Sequence, residues 1–392
     1  MTIEQVSRHE VTLANWREHP FSTLSFQSVS EFVPVATMTC ARERSREAVG
    51  SAAIQGIALD VAGQPTSLND YLRASWTDAL VVLRDGKVVA DWNAPHADPA
   101  RPHVIFSISK SVTGLLAGIA VDDGLLDPDA PITDHVAMPP ASAYGSARIR
   151  DLLDMTVDLD FDEEYTDKDS AFDRYRRAML WNPERADTTA QTMEEFLATL
   201  PPRRSGEHGR RFYYASPNTD LLGLVVERAV GRRYHDYLAE RLLKPMGMTG
   251  ASYVTVDRVG TARAAGGICI TVEDLARLGD LVRMGGRNAA DQQIVPAAWI
   301  EDLHANGNRQ AWVDGNFADM FAEGRYRSCW YQVGDTRGSF CGVGIHGQWV
   351  WVDPVSRITI AKTSSRPDAS DDAGTAREIS VLTQIARHLE TA

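Results

Sequence analysis

Segments with β-strand patterns lie near both ends of this chain, and helical patterns fill the stretch between them. DALVVLRDGKVVADW (78–92) contains two apolar runs joined by Asp85-Gly86, a dipeptide that accepts the positive φ of a tight hairpin turn. GQWVWVDPVSRITIAKTSS (347–365) reads as two more strands around a turn. This order of strands, helices and strands predicts a mixed α/β (α+β) unit built from both chain ends, with a helical unit inserted in the middle.

The predicted domain boundaries follow from that order. Residues 1–149 and 265–392 are assigned to a discontinuous α/β domain, and residues 150–264 to a mainly helical domain. A length of 392 residues is large for one compact unit, which agrees with two closely packed domains. The chain closes with a predicted helix whose apolar face consists of Ile379, Leu382, Ile385 and Leu389.

The stretch FSISKSVTGLLAG (106–118) places a lysine three residues after a serine, at the start of an apolar helical pattern. Positions i and i+3 share a helix face, so the Ser107 hydroxyl and the Lys110 amine can touch. A serine hydroxyl becomes a good nucleophile when a base removes its proton. Lysine can be that base if burial and nearby positive potential lower its pKa from about 10.4 towards neutrality, whereas arginine does not deprotonate in proteins.

The same motif also has a structural interpretation, in which Ser107 caps the helix and Lys110 is solvated. The spacing alone leaves both interpretations open, although the strand-like HVIFS before an apolar helix favours the reactive pair. A second element is required to move the proton onward. FYYASPNTDLLG (212–223) supplies Tyr213, Tyr214 and Ser216 just before a helix that is predicted to open at Pro217 and to stop near Gly231. A second helix is predicted over roughly 234–243.

Together these motifs resemble the penicillin-recognising serine hydrolases, a family that includes class C β-lactamases, D-alanyl-D-alanine peptidases and related esterases. The SxSKS motif, the YxSxNTD element and GxGIHGQ (342–348) are most similar to the aminohexanoate-oligomer hydrolases within that family. The resemblance covers the chain from roughly residue 75 to its end. It implies a β-lactamase/transpeptidase-like fold, in which an antiparallel sheet is flanked by helices and carries an inserted helical domain.

The resemblance also implies a role for each motif residue. Ser107 would be the nucleophile, Lys110 its activating base and Tyr214 the general acid that protonates the leaving group. The backbone N–H groups of Ser107 and Ile345 would form the oxyanion hole. The candidate substrate-binding residues are Tyr165, Trp181, Ser216 and His346.

These candidates also have structural interpretations that the sequence leaves open. Tyr165 and Trp181 can be packing aromatics of the helical insert, Ser216 can cap the following helix, and His346 can be a structural histidine. Of the adjacent tyrosines, the spacing to Ser216 favours Tyr214 as the catalytic residue.

The chain departs from the family pattern in ways that bear on its substrate. Ser216 stands where β-lactamases and peptidases usually carry the asparagine of Y-x-N, and Gly342-Val343-Gly344 stands where they carry K-T-G or H-x-G. This strand therefore lacks the cationic residue that binds a substrate carboxylate in the β-lactamases and peptidases. Ala265 falls where the aminohexanoate-oligomer hydrolases tend to have a polar substrate contact.

These departures favour a serine hydrolase of short esters or linear amides that acts through an acyl-enzyme. The nearest alternative is a β-lactamase or a D-alanyl-D-alanine carboxypeptidase. An alternative of another class is a non-catalytic ligand-binding protein on the same fold. The acidic run FDEEYTDKD (161–169) is either a solvated loop or a border of the cleft that favours substrates with an amine.

Composition excludes several other classes. A net charge of −13 without a dominant basic cluster argues against nucleic acid as a partner. GVGIHG (342–347) runs into a strand instead of opening a helix, so it is not a dinucleotide fingerprint, and no metal-ligand spacing is present. We therefore predict no cofactor and no metal, and a small-molecule ester or amide as the partner.

The sequence also bears on location and assembly. Neither a signal peptide nor an apolar stretch of membrane-spanning length is visible, and the four cysteines have no C-x-x-C spacing. These features predict a cytoplasmic protein with free thiols and no membrane partner. A monomer and a homodimer both remain open.

Overall fold

The computed structural model describes residues 6–38, 49–50, 54, 56–164, 167, 169–204 and 207–391. The strands of these residues are, in chain order, Val35–Thr37 (β1), Ala58–Val61 (β2), Gln64–Ser67 (β3), Thr77–Arg84 (β4), Lys87–Asn93 (β5), His103–Val104 (β6), Tyr253–Thr255 (β7), Ile268–Ile270 (β8), Arg325–Arg327 (β9), Trp330–Gln332 (β10), Phe340–Gly344 (β11), Gln348–Asp353 (β12) and Ile358–Ser364 (β13).

The central sheet has seven strands in the order β5-β4-β13-β12-β11-β10-β9, and each neighbouring pair is antiparallel. Both ends of the chain contribute to it, because β4 pairs with β13, which follows more than two hundred residues later, while β5 pairs with β4 at the edge of the sheet. The predicted hairpin between β4 and β5 is confirmed, with φ of 49° at Asp85 and 78° at Gly86. Its turn therefore has the left-handed backbone that the Asp-Gly dipeptide predicted.

A smaller sheet joins distant parts of the chain in the order β1-β7-β8-β6, and β2 pairs with β3 in a separate hairpin. In the smaller sheet, β6 pairs with β8, so the residues just before Ser107 lie beside the segment that ends at Ile270. This pairing brings together residues that are 165 to 167 positions apart in sequence, namely Val104 with Cys269 and His103 with Ile270. The sheet thus positions the candidate nucleophile against the 263–267 turn.

The α-helices of the described residues are, in chain order, Ser22–Ser25 (α1), Leu68–Ala74 (α2), Ile108–Asp122 (α3), Ile149–Leu153 (α4), Ala171–Ala178 (α5), Met193–Ala198 (α6), Ser216–Val230 (α7), Tyr234–Leu238 (α8), Lys244–Met246 (α9), Val272–Arg283 (α10), Ala297–Ala305 (α11), Arg309–Val313 (α12) and Asp372–Thr391 (α13).

Helix α3 begins directly after Ser107 and is buried on all sides, since every residue from Ile108 to Ala120 is buried. A helix without a polar face belongs in the interior of a protein. Two glycines allow its close packing. A Cβ at Gly114 would lie 2.3 Å from the Ser328 carbonyl oxygen, and one at Gly342 of β11 would lie 2.9 Å from the Ser111 Oγ.

Helices cover both faces of the central sheet. A Cβ at Gly279 of α10 would lie 2.6 Å from Val350 of β12, whereas Lys362 of β13, the cross-strand partner of Trp349, binds Glu378 of α13. Neighbouring positions along a strand point to opposite faces, so α10 and α13 lie on opposite sides. Strands β12 and β13 are accordingly buried along their whole length. The predicted α/β architecture, with an antiparallel sheet flanked by helices, is confirmed.

Helix α7 has the predicted ends, with Pro217 in its first turn and Gly231 at φ 64° as its C-cap. The helix predicted over roughly 234–243 continues further, because a π-helical segment at Ala239–Leu243 joins α8 to α9. The domain boundaries after 149 and 264 stay a prediction. Within the described part of the chain, no helix has both the length and the apolar character needed to cross a membrane.

Candidate active site

Ser107 and Lys110 are in direct contact at the start of α3. The Lys110 Nζ donates one hydrogen bond to the Ser107 Oγ at 2.9 Å and another to the Ala265 carbonyl oxygen at 2.9 Å. The lysine is 1% exposed, although its sequence position would suit a solvated residue equally well. Ser107 has its hydroxyl on the lysine and makes no side-chain cap to the helix. The lysine is therefore buried against the serine hydroxyl, whereas the cap interpretation required a solvated lysine.

Burial lowers the pKa of the Lys110 amine to about 8. Removing an ammonium from water disfavours its charged form, and the positive charge of Arg263 acts in the same direction. The carboxylates of Glu163 and Asp220 oppose this change. A substantial fraction of the amine is therefore neutral near pH 8 and can accept a proton from Ser107.

Tyr214 lies beside this pair, and Tyr213 does not. The Lys110 Nζ is 4.8 Å from the centre of the Tyr214 ring, which stacks on Phe317 with a centroid distance of 4.8 Å. Burial and the Glu163 carboxylate raise the pKa of the Tyr214 phenol well above its ordinary value of 10, while a hydrogen bond with Ser107 acts against them. A phenol that stays protonated at neutral pH can donate a proton to a leaving group.

Tyr213 also lines the cavity, but its hydroxyl contacts groups other than Lys110. Its hydroxyl binds Asp162 and accepts a hydrogen bond from Arg203 at 3.0 Å. Two adjacent residues in an extended segment point in opposite directions, so only one of them can reach the lysine.

The predicted oxyanion residues, Ser107 and Ile345, line the same cavity. Each is next to a residue with strained left-handed backbone, since φ is 43° at Phe106 and 61° at His346. The two rings pack together with centroids 5.3 Å apart. Strain of this kind persists only where the surrounding structure fixes it, and it is common at active sites.

His346 is 4% exposed and is absent from the described lining of the cavity. Its Nδ1 donates to the Arg366 carbonyl oxygen at 2.7 Å, and burial lowers the pKa of the imidazole to about 3. The histidine is therefore neutral and ties the Ile345 segment to the end of β13. These contacts fit the structural interpretation, and a contact of His346 with substrate stays a prediction.

The other substrate-binding candidates lie in three different settings. Trp181 is 3% exposed, and its indole N–H donates to the Thr255 Oγ1 at 3.1 Å, outside the described cavity lining. Ser216 is buried at the first position of α7, where its backbone N–H donates to the Glu163 Oε1 at 2.6 Å. Tyr165 lies outside the described residues.

The cavity at Ser107 has a volume of about 570 Å³, which is within the range of small-molecule sites. Its charged lining is mostly acidic, with Arg366 as the one basic residue among the described lining and four carboxylates, namely Glu163, Glu164, Asp319 and Asp372. The acidic run thus borders the cleft, one of the two settings that the sequence left open. A larger cavity of about 920 Å³, near Trp76 and His96, contains none of the candidate site residues.

Sequence reasoning missed several residues of this site. Asp220 and Arg263 form a buried ion pair behind Lys110, and the Ala265 carbonyl accepts a hydrogen bond from the lysine. Asn316 belongs to none of the sequence motifs, yet its side-chain oxygen accepts a hydrogen bond from the Tyr214 backbone N–H at 3.0 Å. Two of them had a sequence signal, namely Asp220 as the last residue of the YxSxNTD element and Ala265 through the position of its side chain.

Comparisons with known proteins bear on the family of this chain. A family model described as Beta-lactamase matches residues 68–384. The chain is 34% identical over 382 residues to the 6-aminohexanoate-dimer hydrolase of Paenarthrobacter ureafaciens, covering 97% of this chain and 95% of that protein.

Two solved structures show the fold. A Bacillus anthracis protein provisionally called a 6-aminohexanoate-dimer hydrolase has a TM-score of 0.88 at 21% identity, covering 99% of this chain and 99% of that chain. A D-stereospecific amidohydrolase from Streptomyces sp. has a TM-score of 0.56 at 17% identity, covering 78% of this chain and 94% of that chain. The fold that the motif resemblance implied is therefore confirmed.

Proposed function

The chain belongs to the beta-lactamase family, and from this premise we propose that it is a serine hydrolase which cleaves short esters or linear amides through an acyl-enzyme on Ser107. The observation that carries the proposal is the buried Lys110 amine, 2.9 Å from the Ser107 Oγ. A lysine in such a position loses its hydration without gaining a carboxylate within ion-pair distance among the described residues. That arrangement favours the neutral amine, which is the form that a general base requires.

In the proposed reaction, the neutral Lys110 amine accepts the proton of Ser107 while the serine oxygen attacks the substrate carbonyl carbon. The N–H groups of Ser107 and Ile345 stabilise the oxyanion of the tetrahedral intermediate. Tyr214 protonates the leaving alcohol or amine as the bond to carbon breaks, and the Lys110 ammonium returns a proton to the phenol. Water then attacks the acyl-enzyme by the same route and releases the acid.

Gly342 supports an ester or linear amide over a β-lactam or a cell-wall peptide. A Cβ at this position would lie 2.9 Å from the Ser111 Oγ and 3.0 Å from Val350, so a long basic side chain has no room there. Packing around Gly342 therefore excludes a cationic residue that would bind a substrate carboxylate from this strand. The acidic lining of the cavity supports a substrate that carries an ammonium group.

The first prediction concerns substrate choice. Purified protein should hydrolyse p-nitrophenyl acetate and the linear 6-aminohexanoate dimer, and should not turn over nitrocefin at an enzymatic rate. The dimer should exceed its N-acetyl derivative in kcat/KM by roughly tenfold or more, because a hydrogen bond to a charged group contributes about 1.5–3 kcal/mol. Acetylation removes the ammonium charge and adds one small acetyl group while keeping the scissile amide, so the derivative is the control for that charge.

Efficient nitrocefin hydrolysis would instead support the β-lactamase alternative. Equal rates with the dimer and its N-acetyl derivative would remove the case for an ammonium-bearing substrate. A protein that neither hydrolyses any of these compounds nor reacts with a fluorophosphonate probe would be the ligand-binding alternative.

The second prediction concerns pH. Because Lys110 must be neutral and burial lowers its pKa to about 8, kcat/KM for p-nitrophenyl acetate should rise about tenfold per pH unit below pH 8 and level off above it. Initial rates between about pH 5.5 and 9.5, corrected for the uncatalysed reaction, measure this. A profile that is flat from about pH 6 to 9 would contradict the role of a lysine base.

A further inference from the structure

A buried cluster of charged and polar groups lies directly behind Lys110. The Asp220 Oδ2 accepts hydrogen bonds from the Arg263 Nη1 and from the Tyr175 hydroxyl. Asp220 is fully buried and Arg263 is 5% exposed. A buried ion pair is weak evidence for stability, because the loss of hydration of both charges offsets most of their attraction. The position of this pair beside the catalytic lysine therefore calls for another explanation.

The backbone of one residue, Ala265, connects the pair to the lysine. The Ala265 N–H donates to the Asp220 Oδ1 at 2.8 Å, and the Ala265 carbonyl oxygen accepts from the Lys110 Nζ at 2.9 Å. Asp220 lies on α7, Arg263 and Ala265 lie in the turn before β8, and Lys110 lies on α3. Three segments that are distant in sequence thus meet at the backbone of Ala265.

We propose that Asp220 and Arg263 are positioning residues, which hold the Ala265 carbonyl against the Lys110 amine and thereby aim the amine at Ser107. Without this acceptor, the lysine side chain has rotamers that do not reach the serine. The inference rests on the proposed function and adds two residues that do not touch the substrate.

The charges of the pair also act on the lysine in opposite directions. Arg263 lowers the pKa of Lys110 and Asp220 raises it. The other groups that act on the lysine are the Glu163 carboxylate, on the loop that borders the cavity, and Cys329, which precedes β10, and both raise that pKa. Replacing Asp220 by a neutral residue should therefore lower the pKa of Lys110, and replacing Arg263 by a neutral residue should raise it.

The third prediction follows from those signs. Asp220→Asn should lower kcat for p-nitrophenyl acetate by roughly 10²-fold, the effect of a displacement of about 1 Å, and should move the acidic limb of the kcat/KM profile to lower pH. Arg263→Gln should also lower kcat, but should move the limb to higher pH. Arg263→Lys keeps the charge and should leave the limb in place.

Asp274→Asn is the matched control. Asp274 is another fully buried carboxylate, and it binds the backbone N–H groups of Thr249 and Gly250 at 3.1 and 3.0 Å, away from Lys110. The Asp274→Asn variant should lose thermal stability, but the acidic limb of its kcat/KM profile should stay at the pH of the wild type. If Asp220→Asn does not fold, the comparison between Arg263→Gln and Arg263→Lys decides the question alone.

Two results would overturn the inference. One is a reduced melting temperature in the Asp220 and Arg263 variants with the acidic limb unchanged, since a purely structural role predicts that. The other is a shift of the limb in the same direction in both neutral variants. Failure of the proposed function is distinguishable, because the wild-type protein would then show no hydrolysis that depends on Ser107.

Discussion

Replacing Ser107 by alanine is expected to reduce hydrolysis of p-nitrophenyl acetate to the level of the uncatalysed reaction. The Ser107 Oγ is the oxygen that the Lys110 amine contacts in the cavity, and no acyl-enzyme can form without it. In a serine hydrolase, loss of the nucleophile costs about 10⁶-fold in kcat. The variant should fold normally, because the change removes one hydroxyl at the edge of a cavity. The Lys110 amine keeps its other hydrogen bond, to the Ala265 carbonyl oxygen.

The helix provides matched controls for this change. Ser109 and Ser111 are serines of the same motif, and their hydroxyls bind the Ile268 N–H at 3.2 Å and the Cys329 carbonyl at 2.9 Å. Ser111→Ala should therefore retain activity within a few-fold of the wild type. A fluorophosphonate probe should add one label to the wild type and to Ser111→Ala, and none to Ser107→Ala. Turnover by Ser107→Ala above about one per cent of wild type would falsify the assignment.

Replacing Lys110 by arginine is expected to lower kcat by roughly 10³-fold or more, although the positive charge and much of the side-chain length are kept. Arginine stays protonated in proteins, so it cannot accept the serine proton at any accessible pH. General-base catalysis commonly contributes 10²- to 10⁴-fold, and the larger guanidinium must also fit a site that is closed to solvent. Raising the pH to about 9.5 should not restore activity, because the base itself is missing.

Lys362 provides the control for this second change. It is also a buried lysine, but it lies on β13 and binds the Glu378 carboxylate at 2.8 Å. Lys362→Arg keeps that ion pair and should remain active. If Lys110→Arg kept a tenth of wild-type activity, an amine base at this position would not be required, and the mechanism would have to assign proton transfer to another group.

Local sequence was sufficient for those parts of the molecule in which neighbours in the chain determine the geometry. The Asp85-Gly86 turn predicted a hairpin, and Pro217 and Gly231 predicted the ends of α7. The spacing of Ser107 and Lys110 predicted that they would share a helix face. In each case the interaction spans at most a few residues, so its geometry is largely independent of the rest of the fold.

Tertiary structure decided the features that depend on contacts between distant segments. Burial of Lys110 results from packing of α3 against β11 and the 263–267 turn, and that burial lowers the pKa of its amine. The local sequence does not specify the direction in which Trp181 and Tyr214 point, and the structure buries the former in the core while turning the latter towards Lys110.

The proposal depends on a single physical condition, which the amino-acid order alone cannot guarantee. An amine beside a serine hydroxyl must be sufficiently shielded from water to remain partly unprotonated at mild pH. The sequence determined which two side chains would be neighbours. Only the folded chain determined how completely these two side chains are shielded from solvent, because segments far apart in sequence contribute to their desolvation.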